Sequence, residues 1–140
     1  MSSFDRFEDI EAWKESKALA ADVYKLTNQG VFKRDFGLRD QVRRSAVSVM
    51  ANIAEGFGRK TNKDFANFLY TSRASAMEVI SHLYIAMELD YLNNDQFEPL
   101  RRGYEAVIGK TTRLISYLES SSGAQRNPKR RTKNKEPRTK

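Results

Sequence analysis

The most constraining feature of this sequence is a pair of unbroken seven-residue repeats in its second half. Phe65, Leu69, Ser72, Ala76, Val79, Leu83 and Ala86 follow one another at steps of four and three, and so do Phe97, Leu100, Tyr104, Val107, Thr111, Leu114 and Leu118. Such steps keep side chains on one face of an α-helix, whereas a strand would divide them between its two faces. A long helix with one apolar stripe has to bury that stripe against other helices. No segment alternates with a period of two, so the expected class is all-α.

The first half supplies the partners. A helix is expected from about Glu8 to Asn28, with Ile10, Trp13, Ala20 and Tyr24 on one side and Leu19, Val23 and Leu26 beside them. A second, from about Leu38 to Phe57, carries Val42, Ala46, Val49 and Ile53 in one stripe and ends at the glycines of EGFGR. Thr61 and Asp64 can cap a third helix running to about Asp90, and a capping box over Asp95, Gln96, Phe97 and Glu98 opens a fourth. Pro99 then falls in the first turn, where no N–H is needed. Short connections make sequence neighbours spatial neighbours, which predicts an antiparallel up-down four-helix bundle. The lateral row Ile80, Tyr84, Met87 and Tyr91 adds more apolar surface than one seam consumes, and this points to a homo-oligomer.

Charge divides the chain. After Glu119 there are eight basic residues and one acid, which leaves 17 of each sign in the first 119 residues. The segment from Ser120 has no large apolar residue and contains two prolines and a glycine. It cannot bury enough surface to offset ordering entropy, so the division is a folded body over 1–119 and a disordered basic tail over 120–140. No cysteine is present, which excludes disulfides, thiol nucleophiles and every zinc site that needs thiolate ligands. The single histidine, His82, is four residues from Glu78, whereas helical-bundle metal centres use a Glu-x-x-His pair on each of two helices. No metal, cofactor or catalytic residue is expected. With no long apolar run and no signal-like start, the expected location is cytoplasmic.

Two polar constellations remain. Gln41, Ser45, Ser48, Asn52 and Glu55, followed by Arg59, form a stripe directly beside the apolar face of the second helix. Short side chains at its centre predict a polar network across a close helix contact. Lys33, Arg34, Arg39, Arg43 and Arg44 gather near the start of that helix, and Arg59, Lys60 and Lys63 near its end. Arg39, Arg43, Arg44, Arg59, Lys60 and Lys63 in the body, with Arg130 and Arg131 in the tail, are the expected nucleic-acid contacts. Repetition around a ring of subunits would sum their fields. A scaffold that binds only protein partners is the competing reading.

The segment from Gly37 to Arg59, with its block Asn52-Ile53-Ala54-Glu55-Gly56, resembles the four-helix-bundle proteins encoded in intervening sequences of bacterial 23S rRNA genes, and the related accessory variability determinants of diversity-generating retroelements. Phe7-Glu8-Asp9-Ile10-Glu11-Ala12-Trp13-Lys14, Phe65-Ala66-Asn67-Phe68-Leu69 and Ala74-Ser75-Ala76-Met77-Glu78 resemble three further family segments, and the likeness covers about residues 4 to 118. A frequent family proline is Met50 here, and a usual Ser or Thr cap is Arg39. The resemblance implies an up-down bundle that assembles as a homo-oligomer, with pentameric rings known in the family; its retroelement members bind nucleic acid, RNA or DNA, and a reverse transcriptase through basic surfaces, while many other members have no established activity.

Overall fold

The computed structural model describes residues 4–120, and these contain five α-helices and no strand. α1 spans Glu11–Thr27, α2 Gly30–Arg34, α3 Phe36–Phe57, α4 Asn62–Glu88 and α5 Asn94–Glu119, with a 3-10 turn over Phe7–Asp9 ahead of them. The four long helices touch in a closed cycle, α1 to α3, α3 to α4, α4 to α5 and α5 to α1. Cross-contacts show opposed directions: Ser48 meets Ser75 while Gly56 faces Phe65, and Arg73 meets Thr112 while Tyr84 faces Phe97. Lys110 likewise pairs with Glu15, and Gly103 faces Leu19.

Both seven-residue seams lie inside. Every member of the α4 seam is at most 1% exposed, and every member of the α5 seam at most 6%. Val42, Ala46, Val49 and Ile53 of α3 are fully buried. The core thus forms from the residues whose spacing demanded it. Glycine permits the closest helix approaches, because a Cβ on Gly56 would lie 2.7 Å from the Phe68 Cβ and one on Gly103 would lie 2.6 Å from the tip of Leu19.

Several expectations are corrected. The first helix does not begin at Glu8: Ile10 adopts an extended conformation, is 2% exposed and separates the 3-10 turn from α1. The short helix α2 was not expected; it seats fully buried Phe32 against Tyr91, ring centroids 5.2 Å apart. It starts at Gly30, whose φ of +54° is a left-handed conformation that favours glycine. α3 begins at Phe36, and its cap is Asp35, whose carboxylate accepts from the Leu38 N–H at 3.1 Å. The box of α5 is Asn93 with Gln96, each side chain accepting from the other's backbone N–H at 2.9 Å. Pro99 therefore sits beyond the first turn, and its missing N–H deprives the Asp95 carbonyl of a helical partner. In α1, Tyr24 is exposed rather than core. Of the lateral row, Ile80, Met87 and Tyr91 pack against the core, and only Tyr84 is exposed. The apolar surplus of α4 is instead Tyr70, Met77 and Tyr84, one heptad apart, with Ile85 and Leu89.

Two seam hydroxyls, Tyr104 Oη and Thr111 Oγ1, are buried without a hydrogen-bond partner. Burial also raises the pKa of the Tyr104 phenol. An unsatisfied buried hydroxyl costs about 1–3 kcal/mol, so Tyr104→Phe should leave stability unchanged or raise it by about 1 kcal/mol. A thermal melt showing clear destabilisation would mean that the hydroxyl is bonded in solution.

Candidate nucleic-acid interface

α3 is the element that organises the candidate residues, because it carries a basic group at each end. Arg39 and Arg59 are separated by a rise of about 30 Å at 1.5 Å per residue, so one copy presents two patches. At the first end, Arg39 donates to Asp40 at 2.9 Å and to the Lys33 carbonyl at 3.1 Å, and stacks over the exposed Phe36 ring. Arg43 is committed to joining helices: its Nε donates to Thr27 Oγ1 at 2.8 Å and its guanidinium lies over Tyr24. It is a clamp between α1 and α3 more than a phosphate ligand. Arg44, Lys33 and Arg34 are exposed and have no acidic partner among the described residues. Arg44 lines a cavity of about 380 Å³ with Tyr24, Asp40, Arg43 and Val47.

At the second end, Arg59 pairs with Glu55 at 3.0 Å and lies over Phe68. Lys60 and Lys63 are exposed, again with no acidic partner among the described residues. α5 finishes at this end, where Tyr70 donates to the Glu119 carboxylate at 3.0 Å. α5 thus ends on the side that holds Arg59, Lys60 and Lys63. Arg130 and Arg131 lie outside the described residues, as do all of 121–140.

The polar stripe splits. Ser48 and Ser75 share a hydrogen bond of 2.8 Å, and Asn52 donates to the Ser48 carbonyl at 2.9 Å and to its hydroxyl at 3.0 Å. Ser72 donates to the Val49 carbonyl at 2.7 Å, so α4 contributes two serines to the network, one from the seam and one from segment 74–78. Ser45 is buried alongside. Gln41 is exposed, and Glu55 is an exposed partner of Arg59 rather than a member of a buried network. Glu55→Ala should therefore cost only a few tenths of a kcal/mol, about the worth of an i,i+4 pair.

The first end is fixed from below by Tyr91, whose hydroxyl donates to Asp35 at 2.8 Å. The Leu38 N–H first, and then this hydroxyl, hold the Asp35 carboxyl below its ordinary pKa by donating to the charged form. The depressed folded-state value means that the stabilisation is present above the unfolded pKa of about 4 and is lost as pH falls through the folded value. The stability gap between parent and Asp35→Asn should shrink below about pH 4. A gap constant from neutral to strongly acid pH would contradict this.

Among the described residues no three His, Asp or Glu side chains gather as metal ligands, and no helix is long and apolar enough to cross a membrane. These features define a protein whose described residues are all helical or in connecting turns, with exposed cations at both ends of α3. The family model of the 23S rRNA-intervening sequence proteins matches residues 8–113, and the chain belongs to that family. Its fold is similar to that of a protein of unknown function from the S23 ribosomal protein family of Bacteroides thetaiotaomicron, with a TM-score of 0.67 and 23% identity over 78% of this chain and 99% of that one. No curated protein matches the chain.

Proposed function

We propose that the protein is a non-enzymatic, nucleic-acid-binding four-helix bundle of up-down topology that works as a homo-oligomer, most simply a pentameric ring. The observation that carries this reading is the set of exposed cations without acidic partners at both ends of α3, Lys33, Arg34 and Arg44 at one and Lys60 and Lys63 at the other. The sequence after Glu119 adds eight basic residues. Phosphate neutralisation by such groups releases counterions, which makes binding strongly salt-dependent and largely independent of sequence. The family's description refers to 23S rRNA, which supports RNA as the first nucleic acid to test. An accessory role beside a reverse transcriptase belongs to the same reading. The test is a salt titration of binding to structured RNA and to duplex DNA; no binding at low salt would contradict it.

The exposed row Tyr70, Met77, Tyr84, Ile85 and Leu89 supports self-association. Sedimentation equilibrium at micromolar concentration should show a species several times the chain mass of 16.1 kDa. A monomer would contradict the ring. The same apolar row favours the second reading, a scaffold that docks protein partners and leaves nucleic acid alone.

A further inference from the structure

We propose that the first end of α3 is a stacking platform for unpaired bases of a single strand, with Phe36 as its centre. This rests on the nucleic-acid reading above and specifies the class of strand. Phe36 is the most exposed large hydrophobic residue among those described, at 63%, and Arg39 lies over its ring at 4.8 Å. A phenyl ring left in water contributes little to the core, and with Arg39 over one part of it the remaining exposed surface can meet a flat partner. Tyr24, 44% exposed, repeats the arrangement with Arg43 over its ring at 4.7 Å.

Five cation–aromatic pairs occur among the described residues, and two of them, Arg39 over Phe36 and Arg43 over Tyr24, lie at this end. The two at this end stand beside cations that no acid neutralises, Lys33, Arg34 and Arg44. Aromatic faces for bases interleaved with cations for the backbone are the composition of single-strand binding surfaces. A duplex cannot use the faces, because its bases are already stacked. Asp40, which pairs with Arg39 and lines the same cavity as Tyr24, disfavours phosphate there and offers an acceptor to a base amino group. The backbone is thereby directed to the flanking lysine and arginines, and the bases to the rings.

The experiment uses the full chain with three probes: an unstructured RNA strand of about 20 nucleotides, the same strand with abasic residues, and a blunt RNA duplex, at about 0.3 M salt to suppress pure phosphate binding. The parent should prefer the base-bearing strand to both others. Phe36→Ala should weaken that strand about 5- to 100-fold and leave the abasic strand unchanged, while Phe36→Trp should restore binding. Because Phe36 is largely exposed, the variant should keep the parent's circular dichroism melt. Equal binding of base-bearing and abasic strands, or Phe36→Ala binding like the parent, would overturn the platform and leave electrostatic binding standing. No binding of any probe even at low salt would overturn the nucleic-acid reading with it.

Discussion

Removing residues 121–140 should lower nucleic-acid affinity more than any single body substitution, and should do so through its salt dependence. The deleted segment carries eight basic residues and one acid. Each phosphate neutralised on duplex DNA contributes about 0.9 to the slope of log affinity against log salt, so the slope should fall by several units. The loss should be largest at low salt and should narrow as salt rises. It needs no fixed geometry, because counterion release depends on charge density. If the truncated chain kept the parent's slope, the tail would not be contacting phosphate, and its charge would serve another purpose.

The largest effect on stability is expected from Gly56→Ala. The new methyl would lie 2.7 Å from the Phe68 Cβ, 3.0 Å from the Phe65 ring and 3.2 Å from the Phe65 carbonyl oxygen. Two of those atoms belong to or adjoin the α4 backbone, so relief requires α3 and α4 to move apart along a contact that also holds Ser48 to Ser75. Overpacking costs about 1–3 kcal/mol, and alanine's better helix propensity returns somewhat less than about 1 kcal/mol. The net loss should lower the melting temperature by roughly 5 to 10 °C. Gly103→Ala is the control, since the nearest atom there is the rotatable tip of Leu19, and Gly37→Ala meets only Asp35 at 3.9 Å. The expected order of stability is Gly37→Ala, then Gly103→Ala, then Gly56→Ala. A Gly56→Ala protein as stable as Gly37→Ala would show that the approach of α3 to α4 is looser than described.

Periodicity made the long helices readable, since burial of a seam depends only on spacing within one segment. Every seam residue of α4 and α5 named from the sequence is buried. The features that escaped depend on single residues or on distant partners. α2 has five residues, too few for a periodic signal, and is anchored by Phe32 alone. The α5 cap was displaced because two overlapping segments can each form a box, and Asn93 with Gln96 is the pair that closes. Which cations are tied down was illegible for the same reason: Arg43 meets Thr27 sixteen residues away, and nothing within the helix pattern marks it. Ser72 and Ser75 were readable as small seam residues, but their bonds to Val49 and Ser48 require the register of α3 on α4. The outer apolar row of α4 is legible in the heptad spacing of Tyr70, Met77 and Tyr84.

Whether the helical body, and not the tail alone, binds nucleic acid is decided by the affinity of the chain truncated after Ser120 for structured RNA at low salt, compared with the same truncation carrying Lys33, Arg34, Arg44, Lys60 and Lys63 changed to alanine. All five residues are exposed, so both proteins should melt alike. The truncated chain should still bind, with a salt slope of its own, and the five changes should remove most of that affinity. A truncated chain that binds nothing at low salt, or one whose affinity survives the five changes, would contradict binding by the body.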